Sequence, residues 1–571
     1  MPAPAPPATS PPATVPARTP AARPDRILLL VLAAAAAVLL WRGGSMAIAH
    51  SESYDDEYHL VHGAAYFRGG LHDVPQPDPP LGQALTALPM VLTNTNPRWT
   101  GTLYDHSRPP ETVLFLTALW RSLLFLPAIG VAFAWCRRLY GLPAGCLAAA
   151  LLVLEPNFAA HIPLAALDAL GVAGALVGAF LLWRAFERPS FGRGAAAAAG
   201  CAVALLLKGT TILLPVVAAA DAALFWMVRP WLAARRSPER AGPAPARPEW
   251  ITALPRRLAA FVGFAALGFL ILWALLLFDV SRPDQPPDWQ QAPTPLSRLL
   301  DRPLPAGLFF ESLVRGAWHA DQGHLAYLLG ERSRGGWWYY FPVVMAYKTP
   351  LGVALVLLLA LLSLERVRPR FEEWGLAIPA VLWTALFLST RINIGVRHFL
   401  PAYVFLLLLG ARAVAFDPPR WRAAGAWIGV GLTAVHGLMW HPDYIAYENL
   451  PRARAYLDLS DSNVDWGQGL KQARDWIDAH PQHAGRPIHL LYFGDPNSPR
   501  RVLHYLGNRV SLIPPHAPLP TGGLLIASPV WVAGPFDIGD RYKALRGLTP
   551  VDVIGHALLV YDLDPLSGGG T

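Results

Sequence analysis

The chain has 571 residues, 53% of them hydrophobic and 15% charged, with a formal net charge of +8. Soluble domains carry roughly 25% charged residues, so this composition excludes an ordinary soluble protein, and the apolar residues fall in blocks of membrane-helix length. The positive charge lies in Arg clusters between those blocks, which reads as membrane topology and argues against nucleic acid as a partner. Cys136, Cys146 and Cys201 lie in or beside apolar segments and make neither a disulfide framework nor a metal-ligand spacing.

In chain order, residues 1–26 read as a disordered cytoplasmic tail, because Met1–Pro24 is rich in Pro and Ala and cannot build a core. Arg23 and Arg26 precede an apolar segment from Ile27 to Ala49. The triplet Ala47-Ile48-Ala49 has the form of a signal-peptidase site, but the segment's length favours a retained anchor. Further apolar blocks at 112–135, 143–155, 161–183, 194–207, 209–228, 257–278, 342–363, 374–390, 398–414 and 421–440 predict about eleven spans in all, several of them short.

Alternate loops carry the arginines: Arg137 and Arg138; Arg184, Arg188 and Arg193; the run from Arg229 through Arg240 and Arg247 to Arg257; Arg366, Arg368 and Arg370; and Arg412, Arg420 and Arg422. All share the phase of the N-terminal arginines, which predicts a cytoplasmic N-terminus and a C-terminal tail outside. The expected fold is a polytopic α-helical membrane domain over 27–440, with external loops 50–111 and 279–341. A small extracytoplasmic α/β domain is expected over 441–571. Its strand-like runs are Ile488–Phe493, Gly523–Pro529 and His556–Asp562, and its helix-like stretches are Gly469–Ala479 and Pro499–Leu506.

The first external loop is acidic, with Glu52, Asp55, Asp56, Glu57, Asp73 and Asp78 among His59, His62 and His72. Carboxylates at a membrane boundary serve as general bases or metal ligands, or else as helix caps in a solvated loop. Asp78-Pro79-Pro80-Leu81 stiffens the return into the membrane. A second acidic feature is Glu155-Pro156-Asn157 with His161 and Asp168, the last inside an otherwise apolar stretch. An ionisable residue there marks a functional site by default.

Lys208, Lys348, Arg391, Arg397 and His398 sit at outer-side helix ends, where the positive-inside pattern has no use for them. One of them alone would be a snorkelling side chain. Five together point to an anionic ligand such as a lipid phosphate. His319 and His324 stand five apart, which is no established zinc spacing. Asp461, Asn463, Asp465, Trp466 and Gln468 read first as helix-capping residues and second as contacts to an acceptor sugar. The chain has no Walker A sequence, no His-Glu-x-x-His and no Gly-x-Ser-x-Gly, so cytosolic ATP chemistry is not indicated.

Taken together, Asp56-Glu57, Pro79-Pro80-Leu81, Glu155-Pro156-Asn157 with His161 and Asp168, Gly323–Leu351, Asn393–Pro401 and Asp461–Lys471 resemble the GT-C class of polytopic glycosyltransferases. Within it the pattern is similar to the family of protein O-mannosyltransferases and lipid A aminoarabinose transferases. The resemblance implies a hexosyltransferase of a bacterial-type cytoplasmic membrane, using a polyprenyl-phosphate sugar donor, with inversion at the sugar. The acceptor is a protein hydroxyl, a lipid or a cell-wall glycan. It implies Asp56 as base with Glu57 beside it, and Asp168 as a second acid. Lys208, Lys348, Arg391, Arg397 and His398 are candidates for the donor phosphate, and Asp78, His161, His319 and His324 for the substrate loops. The pattern departs from the family at Asp78 and in the spacing of His59 and His62, which leaves a divalent metal as an option and not a requirement. The competing reading is a polyprenyl-lipid transporter or flippase that makes no bond. Charges gathered at one face, with no internal repeat, favour surface chemistry.

Overall fold

In the computed structural model the described residues are 25–72, 78–96, 102–236, 249–288, 295–365, 368–450, 454–495, 498–537 and 539–564. Of the tail expected over 1–26, residues 1–24, with Arg23, lie outside them, while Asp25 and Arg26 belong to the start of the first helix; Asp73, Arg240, Arg247 and Arg366 also lie outside.

Helix α1 (Arg26–Ala49) begins at Asp25, whose carboxylate accepts from the Ile27 N–H at 3.1 Å as an N-cap. The acidic loop that follows is helical. Helices α2 (Asp56–Phe67) and α3 (Pro80–Thr93) fill most of it, the second starting on its own proline. They pack closely because Gly63 has no side chain; a Cβ there would fall 2.0 Å from the Gln83 carbonyl oxygen.

Helices α4 (Pro110–Leu124) and α5 (Leu126–Tyr140) form one 31-residue span. Gly141, at φ 96°, ends α5 and admits α6 (Leu142–Leu154). After α6 come the short α7 (Pro156–His161), then α8 (Asp168–Glu187), α9 (Phe191–Leu207), α10 (Leu214–Ala223) and α11 (Leu254–Leu275). Only Leu272 of α11 is buried, as suits an apolar helix whose other faces meet lipid.

The second loop also contains structure: the hairpin of β1 (Val280–Ser281) and β2 (Leu304–Pro305), α12 (Gly307–Gln322), and the hairpin of β3 (Ala326–Leu328) and β4 (Glu331–Ser333). Helix α13 (Tyr340–Lys348) then meets α14 (Leu351–Leu362) at a bend of 111°, where Pro350 cannot continue the first helix. Helices α15 (Trp374–Ser389), α16 (Leu400–Gly410) and α17 (Arg420–Met439) complete the bundle.

Among the described residues, seven helical segments are long and apolar enough to cross a membrane, or eight with the bent pair as one span. The expected count was about eleven. The difference lies in α6 and α9, of 13 and 17 residues, and in α17, a 20-residue helix of lower apolarity that opens on Arg420 and Arg422.

The C-terminal α/β unit has five strands in the order β6-β5-β7-β9-β8 (Ser511–Leu512, Ile488–Leu491, Leu524–Ala527, Leu558–Asp562, Asp552–Ile554). β5 pairs parallel with β6 and β7, and β9 antiparallel with β7 and β8. Both faces are covered, as the side-chain alternation requires. Leu490, Ile526, Leu558 and Val560 form one layer with α18 (Leu470–Ala479) and α19 (Ser498–Leu506), while Leu491, Leu525, Leu559 and Tyr561 form the other.

Candidate functional site

The three late motifs meet in space. Asn463 accepts from the Val396 N–H at 3.0 Å and donates to the Tyr340 hydroxyl at 3.1 Å, and the Ser462 hydroxyl donates to the Ile394 carbonyl. Lys348 donates to the carbonyls of Ile445, at 3.0 Å, and Asn463. A buried lysine satisfied by backbone oxygens is a clamp, so Lys348 does not present its ammonium to a ligand here.

This clamp sets Arg397, in the turn before α16, over the ring of Trp466, with the guanidinium carbon 4.0 Å from the ring centroid. Arg397 reaches Asp55 at 2.9 Å and Asp168 at 3.6 Å. Asp168 opens α8, where a helix N-terminus favours an anion, and also receives the ammonium of Lys208. Lys208 stands at the break after α9. Among the described residues, Arg397 Nε and His398 Nε2 are buried without a hydrogen-bond partner. Lys208 and Arg397 thus meet on Asp168, with Asp55 on the same guanidinium and the two unpaired nitrogens beside them.

The other expected residues divide. Asp56 is 3% exposed, and its two oxygens accept from the N–H groups of Ser53 and Ala165, each at 2.8 Å. Burial pushes its pKa up against those bonds. Glu57 accepts from the Leu103 N–H at 3.1 Å and is likewise raised by burial. Both acids therefore hold the loop. Asp55 is the member of the triplet that faces Arg397, and its side chain keeps 25% exposure.

Glu155 caps α7 by accepting from the Phe158 N–H at 2.8 Å, and His161 lies edge-on to Trp466. The rings of His319 and His324 are 5.8 Å apart, and Asp78 lies within electrostatic range of His59 and His319. Arg391 is exposed and donates to the Asp321 carbonyl at 3.1 Å. Among the described residues no group of three or more His, Cys, Asp or Glu side chains is placed to hold a metal ion. The residues left open for a divalent ion therefore do not form a ligand set.

The capping role expected within Asp461–Gln468 is absent: α18 starts on Gly469 with no side-chain cap, and Gln468 instead accepts from the Trp466 N–H at 2.6 Å. Burial raises the pKa of Asp461, which lies in the fields of His324, Arg397 and Asp55.

Sequence reasoning did not find Arg501. This arginine of α19 is fully buried, with Nε 3.1 Å from Glu52, Nη2 2.6 Å from Asp495 and 3.7 Å from Glu57, and Nη1 donating to the Ser53 carbonyl. Tyr505 and Tyr104 add hydroxyls to Glu52. The C-terminal unit thereby grips the segment that carries Asp55. An Arg in an amphipathic helix gives no such signal; the acids Glu52 and Glu57 around the start of α2 would be the clue.

The chain matches no protein-family model and no curated protein sequence. Among solved structures it is similar to ArnT from Cupriavidus metallidurans bound to undecaprenyl phosphate, at 14% identity and a TM-score of 0.45, over 95% of this chain and 99% of that one. It is also similar to the archaeal oligosaccharyltransferase AglB from Archaeoglobus fulgidus in complex with an inhibitory peptide and a dolichol-phosphate (12% identity, TM-score 0.41, 84% of this chain and 64% of that one). The arabinofuranosyltransferase AftD from Mycobacteria aligns at 15% identity and a TM-score of 0.38, over 81% of this chain and 29% of that one.

Proposed function

We propose that this chain is an integral-membrane glycosyltransferase that moves a sugar from a polyprenyl-phosphate donor to an acceptor hydroxyl at the outer face of a bacterial-type cytoplasmic membrane. The observation that carries it is the pairing of Lys208 and Arg397 on Asp168, with the partly exposed Asp55 on the same guanidinium. Lys208, Arg397 and His398 bind the donor phosphate. The Asp55 carboxylate takes the acceptor's O–H proton as that oxygen attacks the anomeric carbon. The bond from that carbon to the phosphate oxygen breaks, its electron pair leaves with the polyprenyl phosphate, and the two cations stabilise the added charge. A single displacement of this kind inverts the anomeric centre.

Asp168 orients both cations, and Asp56 and Glu57 hold the loop, so the base role read for Asp56 passes to Asp55. The membrane domain over 27–440 supplies the donor site, and the unit over 441–571 lies on the outer side.

The test is transfer in reconstituted vesicles with a panel of polyprenyl-phosphate sugars, comparing wild type with Asp55→Asn. Consumption of one donor by wild type, lost in the variant, supports the assignment. Full activity in the variant removes Asp55 as base. Movement of labelled lipid across the bilayer with no donor consumed replaces the enzyme reading with the flippase.

A further inference from the structure

Arg121, in the last turn of α4, is an arginine inside a membrane span. It lies about 16 Å along the helix from Pro110, at 1.5 Å per residue. With 1% of its surface exposed, it does not snorkel to the interface. An ionisable residue held at that depth marks function by default. The phosphate and base roles proposed above leave it unused.

Its guanidinium forks. Nη1 donates to the Thr86 hydroxyl of α3 at 2.6 Å, and Nη2 donates to the Ala166 carbonyl. Ala166 stands in the turn Ile162-Pro-Leu-Ala-Ala-Leu167, between α7 and α8, which has no polar side chain of its own. The position of that turn is therefore set by what reaches its backbone. The Ala165 N–H goes to Asp56 at 2.8 Å, and the next carbonyl goes to Arg121. A charged donor makes the stronger kind of hydrogen bond. The turn ends on Asp168, the carboxylate that Lys208 and Arg397 share. Asp56 and Asp168 are also the acids whose charge reaches Arg121.

We propose that Arg121 is a positioning residue. Through the Ala166 carbonyl it sets where α8 begins, and hence where the Asp168 carboxylate meets Lys208 and Arg397. It touches neither donor nor acceptor. The hold on the turn stands by itself, whereas its effect on transfer rests on the function proposed above. The adjacent residue supplies a control. Trp120 Nε1 donates to the Leu85 carbonyl at 2.7 Å, so it joins α4 to α3 with no bond to the turn among the described residues.

The experiment compares wild type with Arg121→Lys, Thr86→Val and Trp120→Phe, each full length in nanodiscs, by amide hydrogen exchange and by steady-state transfer. Lysine keeps the charge but lacks the planar fork that holds hydroxyl and carbonyl together. Arg121→Lys is expected to raise exchange over 162–170 and to raise donor KM about tenfold, with acceptor KM unchanged. Thr86→Val is expected to move both readouts in the same direction by less, and it carries the test alone if the lysine variant does not fold. Trp120→Phe is expected to lower the melting temperature while leaving exchange over 162–170 and donor KM as in wild type. Unchanged exchange in both Arg121→Lys and Thr86→Val, or an equal rise in Trp120→Phe, overturns the hold on the turn. Raised exchange with donor KM unchanged overturns the role at the site. Raised exchange in a chain with no transferase activity keeps the hold on Asp168 and removes the proposed reaction.

Discussion

At the scale of single residues, the acidic triplet separates into Asp55, the proposed base, which pairs with Arg397, and two acids that accept backbone N–H groups. Asp55→Asn keeps the shape and removes the proton acceptor, so kcat is expected to fall about 10²- to 10⁴-fold with little change in melting temperature. Asp56→Asn is expected to behave differently. Its two oxygens serve the Ser53 and Ala165 N–H groups, and an amide can accept from only one of them. The loss is expected to be about 1–3 kcal/mol of stability, read as a lower melting temperature, with catalysis per folded molecule reduced far less than in Asp55→Asn. The sequence makes the triplet legible as a site, since acids at a membrane edge are costly. It does not rank Asp55 against Asp56, because that depends on which backbone N–H groups the fold brings to each carboxylate, and the Ala165 N–H lies 109 residues away.

At the scale of elements, the contact between α19 and the acidic loop decides whether that site stays assembled. Arg501→Met leaves Glu52, Glu57 and Asp495 buried without their common cation, and the expected cost is about 3–5 kcal/mol. Limited proteolysis should then cut the loop between α1 and α2 faster than in wild type. Arg501→Lys restores the charge but not the planar fork, so it is expected to recover melting temperature more fully than activity.

Asp465 offers a pH-dependent counterpart. It accepts from Ser528, and burial raises its pKa to about 6. The folded state then binds more protons than the unfolded state between about pH 4 and pH 6, so this group's contribution falls as pH rises through that window and is flat above it. Asp465→Asn lacks the decline. Its melting temperature relative to wild type is expected to improve from pH 4 to pH 7, by up to about 2–3 kcal/mol of stability. A constant difference across that range would show that Asp465 does not titrate there.

Long apolar elements and the strands of β5, β7 and β9 were readable from periodicity. The two-residue β6 and three-residue β8 were too short to show a pattern. The helices α2 and α3 were hidden because their buried faces include Asp56, Glu57, His59 and Gln83, which read as loop polarity when the partners that satisfy them are unseen.

At the scale of the whole molecule, the two ends of the bundle differ in charge chemistry. Arg137 pairs with Asp25, Arg138 with Glu187, Arg370 donates to the Leu139 carbonyl, and Arg412 pairs with Glu373, so basic loops distant in sequence converge on one end. The other end holds Asp55, Asp168, Lys208 and Arg397, with the C-terminal unit attached through Ser51, Tyr54 and Arg501. Loop arginines resist translocation, and on that ground the proposed topology has the first end in the cytoplasm and the second outside. This can be read from accessibility. In a background with Cys136, Cys146 and Cys201 replaced by alanine, Asp475→Cys on exposed α18 is expected to react with a membrane-impermeant maleimide in spheroplasts. Arg188→Cys, at the exposed end of α8, is expected to react only after permeabilisation. The reverse pattern would place the charged site inside, where a soluble nucleotide-sugar could reach it, and the polyprenyl-phosphate donor would lose its topological support.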